Sequence, residues 1–129
     1  MRARHGLLAL PALLASATAF GAVHSARSPV AIGVSEREFH ITAFRKTVAP
    51  GPVRLNVENL GQDTHNLVIR GPRGYSHRGP DLAAGDRAVV AATLARPGTY
   101  TLLCTRANHE SLGMKTRIVV RRPAARNRR

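Results

Sequence analysis

Short segments in which apolar and polar residues alternate recur along this chain, and they constrain its fold more than any other feature. Alternation with a period of two is typical of β-strands that bury one face. In the first such segment, Phe39, Ile41 and Ala43 share the face that we expect to be buried. The predicted strands are residues 38–44, 53–59, 64–69, 88–94, 99–104 and 114–120.

Turn-forming residues separate most of these predicted strands. Pro50-Gly51-Pro52 and Arg96-Pro97-Gly98 are turns by composition, and residues 59–63 form a third turn-rich link. Residues 71–87 are rich in Gly, Pro and Arg and are expected to be irregular, and no stretch has the 3.6-residue period of a helix. Short strands divided by turns predict an all-β fold, an antiparallel β-sandwich in a single domain.

The beginning of the chain is expected to be an export signal rather than part of the fold. A short basic start is followed by an apolar stretch of small residues from Gly6 to Ala22, which contains no acidic side chain. This order is typical of a secretory signal peptide, here residues 1–25, with cleavage after about residue 21 to 25. An uncleaved membrane anchor is the alternative, although Pro11 and the small residues make the stretch weakly hydrophobic for a span. We therefore expect an exported protein that is periplasmic, on the cell surface or extracellular.

Three segments are predicted to follow the signal. They are an N-terminal linker at residues 26–35, the β-sandwich domain at residues 36–120 and a basic, disordered tail at residues 121–129. The tail contains five arginines in nine residues, which is typical of a solvated segment.

The charge of the chain predicts contact with acidic surfaces. Without Arg2 and Arg4 of the signal, 18 basic residues remain against seven acidic ones, a net charge of +11. Such a balance favours docking to an acidic partner protein, or to an anionic membrane or wall surface. Nucleic acid is not expected, because an exported chain with only five aromatic residues lacks both the compartment and the stacking side chains. We expect a monomer.

A candidate metal site lies towards the end of the chain. Cys104 is the only cysteine, and Met114 is the only methionine besides Met1. His109 stands midway between them, so the run reads C-x4-H-x4-M. A thiolate, an imidazole and a thioether together suit a soft transition metal such as copper. His65, in a predicted strand, is a fourth candidate ligand.

Each candidate ligand also has a simpler interpretation. An odd cysteine in an exported chain needs an explanation, because structural disulfides use cysteines in pairs. The alternatives for Cys104 are an intermolecular disulfide or an inert buried thiol. His65 could be a hydrogen-bonded core histidine, and Met114 could be a core-filling side chain. The regular spacing of the run favours metal ligation over all of these.

The parity of the strands allows the candidate ligands to converge. Residues at i and i+2 of a strand share a face. Three candidates lie an even number of positions from an apolar strand residue and are therefore expected on the same face as that residue. The pairs are Cys104 with Leu102, His65 with Leu67 and Met114 with Ile118. His109 falls in the loop between the last two strands, where it is free to close over an ion from outside.

These motifs resemble those of the small blue-copper proteins of the plastocyanin and azurin group, the cupredoxins. The resemblance lies in residues 64–69, residues 97–105 and Gly113-Met114 with the strand that follows, and it covers both ends of the predicted domain. The length of the ligand loop resembles that of rusticyanin more than the shorter loop of plastocyanin. Two histidines and a cysteine with a weak axial methionine are the ligands of blue-copper electron-transfer sites.

The resemblance implies both an architecture and the roles of single residues. It implies a Greek-key β-sandwich with one type 1 copper ion near one end. The implied ligands are His65, Cys104 and His109 with Met114 axial, and the implied supporting residues behind them are Asn66, which braces the ligand loops, and Thr105.

The chain also departs from the family pattern. Residues 105–108 lack the proline that the family often has between the cysteine and the histidine, and Thr116 stands where a glycine is common. The apolar collar expected around the exposed histidine is thin, with only Ala107 and Leu112 beside basic residues. These differences concern the docking surface and not the metal ligands.

A closed site of this kind has no open position for a substrate. The resemblance therefore predicts an extracytoplasmic one-electron carrier that cycles between Cu(I) and Cu(II), and the charge of the chain predicts an acidic redox partner. An enzyme is not expected, because a copper reductase or oxidase would need further ligands and a second domain. The alternative is a copper-binding protein for delivery or storage, and a third interpretation is an interaction module that uses no metal.

Overall fold

Two β-sheets pack face to face in the computed structural model, which describes residues 26–125. Within these residues a single 3₁₀ turn, Pro72–Gly74, interrupts an otherwise all-β fold. The strands are β1 (Val30–Arg37), β2 (His40–Ala43), β3 (Thr47–Val48), β4 (Gly51–Asn59), β5 (His65–Arg70), β6 (Ser76–Leu82), β7 (Arg87–Leu94), β8 (Gly98–Leu103) and β9 (Lys115–Val120).

The strand order confirms the predicted β-sandwich. One sheet has four strands in the order β2-β1-β4-β7, and the other has five in the order β3-β9-β8-β5-β6. The chain crosses repeatedly between the sheets, as in the expected Greek-key arrangement. Most neighbours are antiparallel, but β1 pairs with β4 and β3 pairs with β9 in parallel, so both sheets are mixed. Alternation has the same period in parallel and antiparallel strands, and the sequence therefore does not separate the two.

The core between the sheets is aliphatic, as the low aromatic content predicts. In β4, Val53, Leu55 and Val57 are buried, while Arg54 and Asn56 point outwards. Tyr100 is the one buried aromatic residue in the described part of the chain, and its hydroxyl donates a hydrogen bond to the backbone oxygen of Arg96 at 3.0 Å.

Strand β1 corrects the expectation that residues 26–35 are a linker. Ile32 and Val34 are buried, and the strand pairs with β4 along its whole length except its last residue. The outward positions of β1 include Gly33 and Ser35 rather than charged residues, so the alternation is weak in the sequence. The β-sandwich therefore begins at Val30.

Strand β6 corrects the expectation that residues 71–87 are irregular. This strand pairs only with β5 and forms an edge of the five-stranded sheet. An edge strand tolerates Gly79 and Pro80, because proline at an edge does not remove a required sheet hydrogen bond. The same two residues make the segment look like a loop in the sequence.

The segment before β2 differs from the prediction in one residue. Ile41 and Ala43 are buried as expected. Phe39, however, lies in the turn between β1 and β2 rather than on the buried face of a strand, and it is 37% exposed.

The predicted signal at residues 1–25 lies outside the described residues, as does the end of the predicted tail at residues 126–129. Residues 121–125 are exposed and have no regular structure. Within residues 26–125, no helix is long and apolar enough to cross a membrane.

Candidate metal centre

Three potential metal donors converge at one end of the sandwich. His65 is the first residue of β5, Cys104 directly follows β8, and His109 lies in the loop that leads to β9. Their donor atoms all lie within 4.8 Å of one another. His65 and Cys104 are fully buried and His109 is 7% exposed, so the strands hold the three groups in a pocket closed to water.

Both imidazoles turn their Nδ1 atoms towards each other and towards the thiol. The distance between the two Nδ1 atoms is 3.2 Å, and Sγ of Cys104 lies 3.6 Å from Nδ1 of His109 and 4.0 Å from Nδ1 of His65. With metal bonds of about 2.0 to 2.3 Å, as for zinc, donors around one trigonal ion lie about 3.5 to 3.7 Å apart. The observed distances lie around this value, so the three side chains fit a single ion.

The loop between Cys104 and Met114 is closed by its own backbone. The N–H of Cys104 donates to the backbone oxygen of Met114 at 3.1 Å, and the N–H of Met114 donates to that of His109 at 3.0 Å. Gly113 has a φ of +102°, which would strain any other residue. Met114 thus lies beside both loop donors, with its side chain fully buried.

Asn66 and Thr105 connect the two chain segments that carry the ligands. The N–H of Thr105 donates to Oδ1 of Asn66 at 2.9 Å. Nδ2 of Asn66 donates to the hydroxyl of Thr105 and to Oδ1 of Asp81, both at 3.2 Å. The amide therefore ties the start of β5 to the end of β8. The structure thus brings His65, Cys104 and His109 together, and it joins Met114 to the loop donors through backbone hydrogen bonds.

Glu38 is a site residue that the sequence did not indicate. Its Oε1 lies 3.1 Å from Nε2 of His65 and accepts the backbone N–H groups of Gln62 at 2.6 Å and Asp63 at 2.7 Å. Hydrogen bonds from the backbone, chiefly that of Asp63, together with the contact to His65, lower the pKa of Glu38 to about 2. Glu38 is separated from His65 by 27 positions, and no motif links them in the sequence.

Two further residues cover His109. The ring of Phe39 meets the imidazole edge-on, with 5.1 Å between the ring centres. Oδ2 of Asp63 lies 3.7 Å from Nε2 of His109 on the opposite side from the other donors. Phe39 thus adds to the thin apolar collar that the sequence predicts for this histidine.

Burial sets the protonation of the metal-free site. Removal from water raises the pKa of the Cys104 thiol and lowers the pKa of His65, so both groups favour their neutral forms. A bound cation would offset the burial of a thiolate and displace the thiol proton. The N–H of Arg106 donates to Sγ of Cys104 at 3.5 Å, which also favours the thiolate.

A β-sandwich that encloses two imidazoles, a thiol and a methionine at one end has the fold of a cupredoxin and the side-chain arrangement of a type 1 copper site. The resemblance seen in the sequence is confirmed for the fold and for this arrangement. No protein-family sequence model and no curated protein sequence matches the chain.

Solved structures of auracyanins share this fold. A dithionite-reduced auracyanin from Roseiflexus castenholzii is 23% identical, with a TM-score of 0.55 over 74% of this chain and 98% of the other. Auracyanin A, a "blue" copper protein from Chloroflexus aurantiacus, is 21% identical, with a TM-score of 0.62 over 73% and 100%. Auracyanin B is 20% identical, with a TM-score of 0.61 over 74% and 91%. At this identity the likeness shows the fold alone.

Proposed function

We propose that this protein is an extracytoplasmic one-electron carrier with one type 1 copper ion bound by His65, Cys104 and His109, and by Met114 as a weak axial ligand. The observation that supports the proposal is the approach of two Nδ1 atoms and one Sγ to within 4.8 Å of one another in a buried pocket. The blue-copper protein among the structural neighbours agrees with it. Export rests on the predicted signal peptide.

The protein part of the site suits electron transfer rather than catalysis. Copper, when bound, supplies the one-electron redox chemistry. Hydrogen bonds hold the ligand loop closed, and the supporting amide of Asn66 fixes Thr105 beside Cys104. A site held in one geometry changes little between two oxidation states. His109 is the least buried donor of the three, so we propose that electrons enter and leave through its exposed edge, beside Phe39.

The spectrum of the copper-loaded protein tests this proposal. Addition of Cu(II) should give an intense visible band from charge transfer between thiolate and copper, with an EPR spectrum of the type 1 class. Cys104→Ser should lose the band, because the thiolate is absent. His40→Ala, which changes an exposed histidine outside the site, should keep it. A colourless copper complex of the unchanged chain would contradict the proposal.

Copper delivery or storage is the competing function, and release kinetics separate it from electron transfer. The full burial of His65 and Cys104 favours slow exchange. A carrier should show a reversible voltammogram and slow loss of copper to a chelator in stopped-flow mixing. Rapid transfer of Cu(I) without reversible redox would favour copper handling instead.

The proposal includes an acidic redox partner on the net charge of the chain alone, and that charge assigns it no docking site. A partner that docks over His109 would contact Phe39 and Leu112, which are 37% and 50% exposed. No catalytic role is proposed.

A further inference from the structure

Charged residues are distributed unevenly between the two ends of the sandwich. The metal end consists of residues 38–39, 60–64, 83–86 and 104–114, together with the last two residues of each strand that runs into them. All seven acidic residues of the chain lie at this end: Glu36, Glu38, Glu58, Asp63, Asp81, Asp86 and Glu110.

The distal end is the opposite end of the sandwich. It consists of residues 26–29, 44–50, 71–75, 95–97 and 121–125. These segments contain seven basic residues and no acidic one: Arg27, Arg45, Lys46, Arg73, Arg96, Arg121 and Arg122.

The two ends are separated by the length of a strand. Strand β9 begins directly after Met114 and runs for six residues to Val120, which at about 3.3 Å per residue is about 20 Å. Arg121 then follows, and its N–H donates to the backbone oxygen of Val48 at 3.0 Å. Arg45, Arg121 and Arg122 line one open cleft of about 510 Å³. Their positive charges are therefore grouped, and they lie far from the metal site.

Ion pairing accentuates this contrast. Arg70, the last residue of β5, pairs with Glu110 of the metal end at 3.1 Å, and Arg78 and Arg106 pair with Asp81 at 2.8 and 3.0 Å. Among the ion pairs of residues 26–125, none includes a basic residue of the distal end. The distal charges are therefore available to an external anion.

We propose that the distal end is a binding surface for anionic phospholipid headgroups, with the metal end directed away from the membrane. Arginine matches phosphate with paired hydrogen bonds. Basic residues close to an anionic lipid surface are attracted to it. Seven basic residues spread over five chain segments form a broad face, which suits an extended charged surface better than one small anion.

The course of the chain favours a membrane over a soluble acidic protein. Strand β1 starts and strand β9 ends at the distal end. In an uncleaved chain the apolar stretch of residues 6–22 would therefore join the sandwich on this side, and in the cleaved and uncleaved chains alike the last three arginines, Arg126, Arg128 and Arg129, follow from it. This proposal concerns charge and orientation alone, and it does not depend on copper binding.

Vesicle co-sedimentation of the exported, full-tailed chain tests the proposal. Binding is measured to vesicles of phosphatidylcholine alone and of phosphatidylcholine with phosphatidylglycerol, and the ratio of the two partition coefficients cancels any contribution from apolar residues. At low salt we expect the ratio to exceed about tenfold, and to fall towards unity at high salt because the charges are screened.

Two triple variants with the same change in charge locate the surface. Arg45→Glu/Arg121→Glu/Arg122→Glu should lower the ratio by about tenfold or more. The control, Arg37→Glu/Lys115→Glu/Arg117→Glu, changes exposed residues nearer the metal end and should lower it by about threefold or less. Thermal melting establishes that both variants fold, and glutamine replaces glutamate in any that do not.

Three results would overturn the proposal. Equal binding to the two vesicle types would remove the role of anionic lipid. An equal decrease of the ratio in both triple variants would show that the net charge of the chain drives binding and that no particular face is used. Binding to a soluble polyanion such as polyphosphate, without binding to vesicles, would assign the surface to an acidic polymer instead.

Discussion

The carboxylate of Glu38 determines how His65 can face a metal ion. An ionised carboxylate only accepts hydrogen bonds, so the 3.1 Å contact requires the proton of His65 on Nε2. Nδ1 is then left with a lone pair, and it is this atom that points at Cys104 and His109. A carboxylate behind a metal-bound imidazole also increases its basicity.

Replacement of Glu38 by Gln keeps an acceptor beside His65 and removes the negative charge. The charge stabilises Cu(II) more than Cu(I), so its loss should raise the reduction potential. An effect of about tenfold on the relative affinity for the two oxidation states corresponds to about 60 mV. Cyclic voltammetry measures the shift, with Glu58→Gln as a control on an exposed pair with Arg87. An equal shift in both variants would contradict this role.

Glu36 should make stability depend on pH. It is fully buried, neither carboxylate oxygen has a hydrogen-bond partner, and burial raises its pKa to about 7 from an ordinary value of 4.5. The folded state therefore holds the proton more tightly than the unfolded state. The stability that Glu36 contributes is therefore present in full below pH 4.5 and is lost as the pH rises through about 7. This loss lowers the free energy of unfolding by about 3 kcal/mol.

Glu36→Gln should abolish this loss. Urea unfolding of the metal-free chain between about pH 5 and pH 8 measures it as the difference between the variant and the unchanged protein. The comparison with the variant is needed because His65, whose pKa is lowered, changes stability in the opposite direction. The stability that His65 contributes is lost as the pH falls. An identical pH profile for the two proteins would contradict the prediction.

Among the structural elements, the link between β4 and β5 depends on one side chain. Asn59 ends β4 and is fully buried. Its Nδ2 donates to the backbone oxygens of Asp63 at 2.7 Å and Leu82 at 2.9 Å, and its Oδ1 accepts from the N–H of Gly61 at 2.8 Å. This amide shapes the turn that delivers His65 to the site.

Asn59→Ala should lower the free energy of unfolding by about 2 to 4 kcal/mol, because three hydrogen bonds are lost and buried backbone groups remain unpaired. Asn56→Ala, on the exposed face of the same strand, should change it by less than about 0.5 kcal/mol. Urea unfolding at one pH gives both values. Equal losses would show that the amide network does not stabilise the turn.

The strands differ in how clearly their sequences mark a buried and an exposed face. Strand β4 was predictable because Arg54 and Asn56 mark its outer face clearly. Strand β1 has Gly33 there, and β6 contains Pro80, so neither carries the alternation that marks a strand. The close spacing of Cys104 and His109 indicated the ligands, whereas Glu38 reaches His65 only through the fold, and no local pattern records that contact.

At the scale of the whole molecule, composition predicted the sign of the charge but not its location. A net charge of +13 for the chain suggests an acidic partner anywhere on the surface. All seven acidic residues lie in the loops of the metal end or in the last two residues of strands that run into it. Long-range pairing determines which strand ends and loops meet there. A partner that docks at His109 therefore meets a mixed surface, whereas the segments of the distal end carry basic residues and no acidic one.

Copper binding should stabilise the whole sandwich. His65 begins β5, Cys104 follows β8 and Met114 precedes β9, so one ion would join three neighbouring strands. A metal at a hundredfold excess over its dissociation constant adds about 2.7 kcal/mol, and each kcal/mol raises the melting temperature of a domain of this size by roughly 4 to 8 °C. Calorimetry should therefore show an increase in melting temperature of about 10 to 20 °C on loading.

Two variants serve as controls for this prediction. His40→Ala should show the same increase and Cys104→Ser should show little, because the thiolate is the strongest donor of the set. The opposite result would be a protein that metal analysis shows to contain copper but that melts at the same temperature as the metal-free chain. This result would contradict the idea that the four ligands act together.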